Sequence, residues 1–251
     1  VYTDASIFEL IVTDEARDVW RVCVDRGDYA HALAFAKGAE QTEVVHAQHG
    51  EHLLAHGRFI EAARELAHTG GSFESVALRF IDAHADDALR EYVALRLDRT
   101  HGRTQRLALA TWLVDMSLAH LNAVDAAGDD ARDAAAGLRG LLATHRTALD
   151  PKTTLALIAR HGRTDIWYHY ARLIGDHEAI VSRLISERRW DAAIAALGQQ
   201  DSPHLYYRFA GILMRHAPAA VTEAWIRNDA LDVRSLIPAL LQHVPTGEIN
   251  H

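Results

Sequence analysis

The sequence predicts an all-α fold: an α-solenoid of stacked antiparallel helical hairpins, with about fifteen helices. Three observations carry this prediction. Ala, Leu and Arg dominate, while there are only 15 Gly and 5 Pro, too few breakers for the many turns of an all-β chain. Helix start and stop signals recur from end to end. One short motif also repeats at the spacing of a helix or of a hairpin.

The elements can be justified in order. A short extended piece, "IFELIV" at 7–12, is the single strand-like stretch. Thr13 then precedes "DEARDVWRVCVDRG", with acidic residues in the first turn to complement the helix dipole and Gly27 near the end. Ser72 leads "FESVALRFIDAH" as an N-cap. Asp150-Pro151 and Ser202-Pro203 each place a capping side chain before a proline at the first helical position, where its missing N–H costs nothing. Thr164 is read as the cap of "DIWYHYARLIG", which Gly175 stops.

The repeated motif is a turn residue, an aromatic two positions later, then a small or β-branched and an apolar residue three and four positions beyond. It occurs as "GDYAHAL" from Gly27, "GRFIEAA" from Gly57, "GSFESVA" from Gly71 and "RRWDAAI" from Arg188. "GDHEAIV" from Gly175 is a weaker copy, with His177 in the aromatic place. Spacings of three and four put these side chains on one helix face, the aromatic as a wedge and the small residue as a point of close approach. Copies about 14 or about 30 residues apart match one helix and one hairpin, the sign of a stacked array rather than an irregular bundle.

The stretch "AVDAAGDDARDAAAGLRG" departs from this rhythm. Residues 123–150 are expected to form an irregular acidic and Ala-rich insert, a loop with a thin surface helix, inside a single solenoid segment spanning 1–251. Its Asp125, Asp129, Asp130 and Asp133 lack the alternating ligands and terminal Glu of a calcium loop.

Charge and motifs exclude several function classes. The net charge of −8 lacks the basic footprint of a nucleic-acid binder. One cysteine, Cys23, excludes an internal disulfide and a cysteine-based zinc cluster. The apolar stretch at 107–114 is too short to span a bilayer, and no signal-peptide pattern opens the chain. Beginning at Val1, the sequence is expected to be a piece of a longer protein. No P-loop, GxGxxG, GxSxG, HExxH or His-Asp pair is present, so the expectation is a non-enzyme without cofactor.

The one constellation that invites chemistry is "HAQHGEHLLAH" at 46–56. On a helix, His46, His49, His52 and His56 fall within about 120° of one another, and pairs one turn apart can share a metal. Against a metal site, Val44, Ala47, Leu54 and Ala55 are read as the core face, which sends the histidines toward solvent or a rim. Glu51 points away from the stripe, so no carboxylate orients the imidazoles. A metalloprotein remains the alternative reading. The tryptophans, Trp20, Trp112, Trp167, Trp190 and Trp225, are expected to plug inter-helix layers, with a partner anchor possible near the C-terminus.

The order of segments resembles one family. "IFELIVTDEARDVW", "RFIEAARELA", "SFESVALRFI", "ALREYVALRL", "TWLVDMSLAHLN", "YYRFAGILMRHAPAAVTEAWI" and "LIPALL" are similar to the solenoid of the vacuolar protein sorting-associated protein 18 (deep orange) family. Single segments also resemble clathrin heavy-chain repeats, which makes a coat-like lattice protein a further alternative. The family resemblance implies a longer protein with an N-terminal β-propeller and a C-terminal RING, neither of which is expected within this sequence. It implies a core subunit of HOPS and CORVET, tethering complexes peripheral on late endosome, lysosome or vacuole membranes, on their cytoplasmic side. The implied partners are the other class C tethering subunits, with Rab and SNARE proteins engaged through the whole complex, and no membrane insertion. The candidate contact residues are Trp225, Ile226, Leu236, Ile237, Leu240 and Leu241, apolar positions in the last helices that a following layer or a partner would cover.

Overall fold

The structure is a computed structural model that describes residues 15–124, 128–199 and 203–241. Among the described residues it holds fifteen α-helices and no strand. The chain divides into two compact units, Val1–Ser117 and Leu118–His251. The first contains α1 (Val19–Asp25), α2 (Tyr29–Phe35), α3 (Ala39–Ala55), α4 (Phe59–Leu66), α5 (Phe73–Asp82) and α6 (Asp86–Arg99). The division falls within α7 (Arg103–Ala123). The second unit continues with α8 (Asp129–Thr144), α9 (Pro151–Arg160), α10 (Thr164–Ile174), α11 (His177–Ser186) and α12 (Trp190–Leu197). It ends with α13 (Pro203–His216), α14 (Pro218–Ile226) and α15 (Val233–Leu241).

Within each unit the packed helix pairs are neighbours in sequence or next but one. α3 packs on α2 and α4, α4 also on α6, α12 on both α13 and α14, and α13 on α15. Nearest-neighbour packing of short helices is how a solenoid is built, since no single hairpin can bury its own apolar face.

A recurring turn makes the repeats. Gly27, Gly57 and Gly175 adopt the left-handed conformation, with φ of 76°, 72° and 74°, and His84 and Arg188 adopt it too, at 53° and 57°. At each, the following N–H reaches back to a carbonyl five residues earlier: Asp28 to Cys23, Arg58 to Leu53, Ala85 to Phe80, Asp176 to Ala171 and Arg189 to Leu184, all at 2.9 Å. The left-handed residue itself donates to the carbonyl three residues before it. This pair of bonds is the Schellman motif, which satisfies the last carbonyls of one helix while aiming the chain into the next.

The motif read from sequence is therefore this turn plus the first turn of the following helix. Its small or apolar third position is interior in every copy: Ala32, Ala62, Val76, Ile180 and Ala193 are buried. The Gly71 copy uses another entry, because Gly71 is not left-handed and Ser72 instead caps α5, accepting from the Ser75 N–H. His84 begins a turn of the same kind that the aromatic pattern does not mark, and Leu89 fills its interior position.

Several boundaries differ from expectation. α1 starts at Val19 rather than at residue 14, and none of residues 15–18 is buried, so no packing holds an extra helical turn there. Thr164 is the first residue of α10 rather than its cap; Arg163 takes the cap position and makes no side-chain capping bond. Asp150 caps α9 as expected, accepting from Thr153 N–H at 2.8 Å. Within 123–150, α8 occupies Asp129–Thr144 and buries Leu138 and Leu142, so most of this stretch is a packed helix against α10. The strand-like 7–12, Thr13, Asp125 and Ser202 lie outside the described residues.

Arginines tie the layers at helix ends. Arg96 and Arg99 of α6 donate to the Thr69 and Ala67 carbonyls after α4, at 2.7 and 3.0 Å. Arg163 donates to the Leu121 carbonyl and the Asn122 side chain in α7, both at 2.5 Å. Cationic donors at helix C-termini satisfy orphan carbonyls and complement the dipole together.

Candidate interaction site and histidine cluster

The histidine stripe of α3 divides: His52 and His56 are exposed, whereas His46 and His49 lie half-buried at the rim between α3 and α4. The buried residues of α3 are Val45, Gly50 and Leu53, whereas Val44 is exposed, so the expected core face is corrected. His46 and His49 share the buried face and point at α4, their side chains 15% and 26% exposed. Adjacent apolar pairs, Val44-Val45 and Leu53-Leu54, make either face look hydrophobic in sequence. Gly50 settles the choice, because it lets Leu66 of α4 lie against the α3 backbone.

Glu65 on α4 organises the cluster. One carboxylate oxygen accepts from His46 Nδ1 at 2.7 Å, and the other lies 3.4 Å from His49 Nδ1. Tyr29 of α2 stacks on His49 with ring centroids 4.4 Å apart, and His68 stacks on His46 at 4.6 Å. Arg99 donates to His68 Nδ1 at 2.7 Å. Burial, then the Arg99 and His46 charges, hold the His68 imidazole below its usual range, with Glu65 opposing. His52 and His56 pack at 4.2 Å, and His56 Nδ1 donates back to the His52 carbonyl at 2.7 Å.

The carboxylate that orients these imidazoles is therefore Glu65, from another helix, which spacing along α3 cannot reveal. Glu51 is paired with Arg79 of α5, which holds its carboxyl below the usual range. The nitrogens converge on Glu65 rather than on a shared empty point, and no group of three His, Cys, Asp or Glu among the described residues is placed to hold a metal ion. The geometry is that of a clamp between α2, α3 and α4.

The residues expected to meet partners separate into two sets. Leu236 is buried with Ala210 and Ala239, and Trp225 packs on that cluster with Tyr207 and Leu231. Ile226, Ile237, Leu240 and Leu241 lie outside it; Ile226 is 76% exposed and Leu241 67%. Ile226 and Leu240 line a cleft of about 530 Å³ with Met214 and Pro218. Of the other tryptophans, Trp20 and Trp167 are buried, and Trp190 stacks on His216 of α13 at 4.3 Å. No helix among the described residues is long and apolar enough to cross a membrane.

Comparison with known proteins gives these observations a context. The family model described as VPS18, alpha-solenoid domain, first half, matches residues 17–176, and the one described as VPS18, alpha-solenoid domain, second half, matches residues 177–251. The chain is 29% identical to the Vacuolar protein sorting-associated protein 18 homolog of Danio rerio over 262 residues, covering 99% of this chain and 27% of that protein. It is 28% identical over 265 residues to the Vacuolar membrane protein pep3 of Schizosaccharomyces pombe, covering 99% and 29%. With the Vacuolar sorting protein 18 of Arabidopsis thaliana it shares 27% identity over 255 residues, covering 96% and 26%. The chain thus spans less than a third of the length of these curated relatives.

Proposed function

This chain belongs to the VPS18 family, matching its α-solenoid domain across residues 17–251, and on that premise we propose that it is a scaffold segment of a vacuolar protein sorting subunit. More specifically, it serves a core subunit of the HOPS and CORVET tethering complexes, peripheral on endosomal, lysosomal or vacuolar membranes. It acts in vesicle tethering and fusion by holding partner subunits, without catalysis or a cofactor. The observation that carries the reading is the repeated Schellman turn, which stacks helices in a regular succession and leaves outward-facing side chains free to specify partners.

The exposed set on α14 and α15 is the proposed contact with another class C subunit. Apolar residues this exposed, two of them, Ile226 and Leu240, lining one cleft, suit an interface more than a solvated surface. The test is co-elution of the purified chain with the other class C tethering subunits in size-exclusion chromatography with light scattering. Ile226→Asp and Leu240→Asp change the surface without touching the Leu236 cluster, so folded variants that lose the complex support the assignment. Co-elution of both variants at the wild-type ratio would move the contact elsewhere, and no complex with the folded parent chain would refute binding by this segment.

A further inference from the structure

We propose that the cleft between α10, α11 and α12 is a docking site for an acidic peptide segment of a partner protein, with one apolar side chain of that segment seated in the cleft. The cavity measures about 240 Å³. That is below the usual size of a small-molecule site, about 300–1,000 Å³, and is on the scale of one large side chain. Its floor is apolar: Ile180 and Leu184 are buried, and the alanines of α12 complete it.

Its rim is cationic. Arg172 and Arg189 line the cleft with the His177 imidazole and the Tyr168 hydroxyl, and no Asp or Glu lines it. Glu187, which contacts the rim residues Tyr168 and Arg189, is already engaged: it accepts from Arg183 at 3.0 Å and Tyr168 at 3.0 Å, with Arg189 at 3.4 Å. Apolar floor and basic rim together fit an acidic segment with a single hydrophobic anchor. The inference goes beyond the scaffold reading and does not depend on tethering.

The test is fluorescence anisotropy with the 251-residue chain and two labelled probes, octapeptides of alternating Glu and Asp around a central Leu or a central Phe. Saturable binding is expected for at least one of them, weakened about tenfold by R172E with R189E and by raising salt beyond the screening range. Ala196→Phe, which fills the cleft without altering charge, is expected to reduce binding as much, and R21E, in the other unit, is expected to leave it unchanged. Circular dichroism identifies any variant that fails to fold, and R172Q with R189Q is the milder substitute. Binding that survives in the folded charge variants, an equal response to a Lys-rich octapeptide, or no saturation by either probe would overturn the proposal. Arginine-dependent binding to phosphatidylserine vesicles without peptide binding would overturn it in favour of a lipid surface.

Discussion

Gly50 offers the sharpest test of how α3 and α4 pack. A Cβ built at Gly50 would lie 2.6 Å from Cγ and Cδ2 of Leu66, a distance that real carbon contacts do not tolerate. Leu66 is 3% exposed, and Ala62 and Ala63 beside it are fully buried, so the leucine has nowhere to move. Two effects oppose each other in Gly50→Ala. Alanine in a helix interior is worth about 1 kcal/mol over glycine, whereas overpacking a closed core costs about 1 to 3 kcal/mol. The clash should win, leaving a net loss of about 1 kcal/mol. The measurement is a urea midpoint followed by circular dichroism, with hydrogen exchange of the α3 and α4 amides to locate the loss. In a Leu66→Ala background the same change should become neutral or stabilising by up to about 1 kcal/mol, because only the helix-propensity gain remains. Equal destabilisation in both backgrounds, or a stabilised single variant, would refute the close approach.

Two further outcomes are expected. Tyr92 is fully buried against Phe73 and Phe80, and its hydroxyl has no hydrogen-bond partner among the described residues. Burial pushes its ionisation above the usual phenol range, and Tyr92→Phe should be neutral or stabilise by about 1 kcal/mol in urea unfolding; a comparable loss would reveal a bonded water or partner. Glu51 is held below the usual carboxylate range mainly by its hydrogen bonds to Arg79. A depressed acid stabilises the fold above its unfolded value and stops doing so as pH falls through the folded one. Glu51→Gln should therefore cost less than about 1 kcal/mol at neutral pH, and thermal melts should show the gap closing as pH drops below about 4. A gap constant from neutral pH to pH 3 would refute the ion pair as its source.

Much of the fold is legible in sequence because the information is local. Asp28, Ser72, Asp150 and Asp176 cap their helices through bonds to backbone N–H groups two or three residues into the helix, a range that a short window captures. The turn motif is legible for the same reason, except at His84, where no aromatic follows. What sequence could not supply was long-range. Glu65 lies 19 residues from His46 and orients it across two helices, so spacing along α3 cannot show which carboxylate His46 meets until α4 is in place. Likewise, alternation in "LIPALL" cannot tell that Leu236 turns inward onto Ala210 while Ile237 and Leu241 stay exposed.

The division between what is local and what is not also bears on function. A turn that closes with the same two backbone bonds, whether its left-handed residue is Gly27, His84 or Arg188, sets each helix-to-helix step without help from the surface. The interior position that follows needs only to be small or apolar, as Ala32, Ile180 and Ala193 are. Exposed side chains outside the core are then little constrained by folding and can diverge, consistent with 24–29% identity to relatives across nearly the whole chain. A glycine would serve the turn at position 188 with less strain than arginine. Yet His84 holds the same position at another turn, and both side chains are exposed, so the two backbone bonds, and not the residue type, define the step.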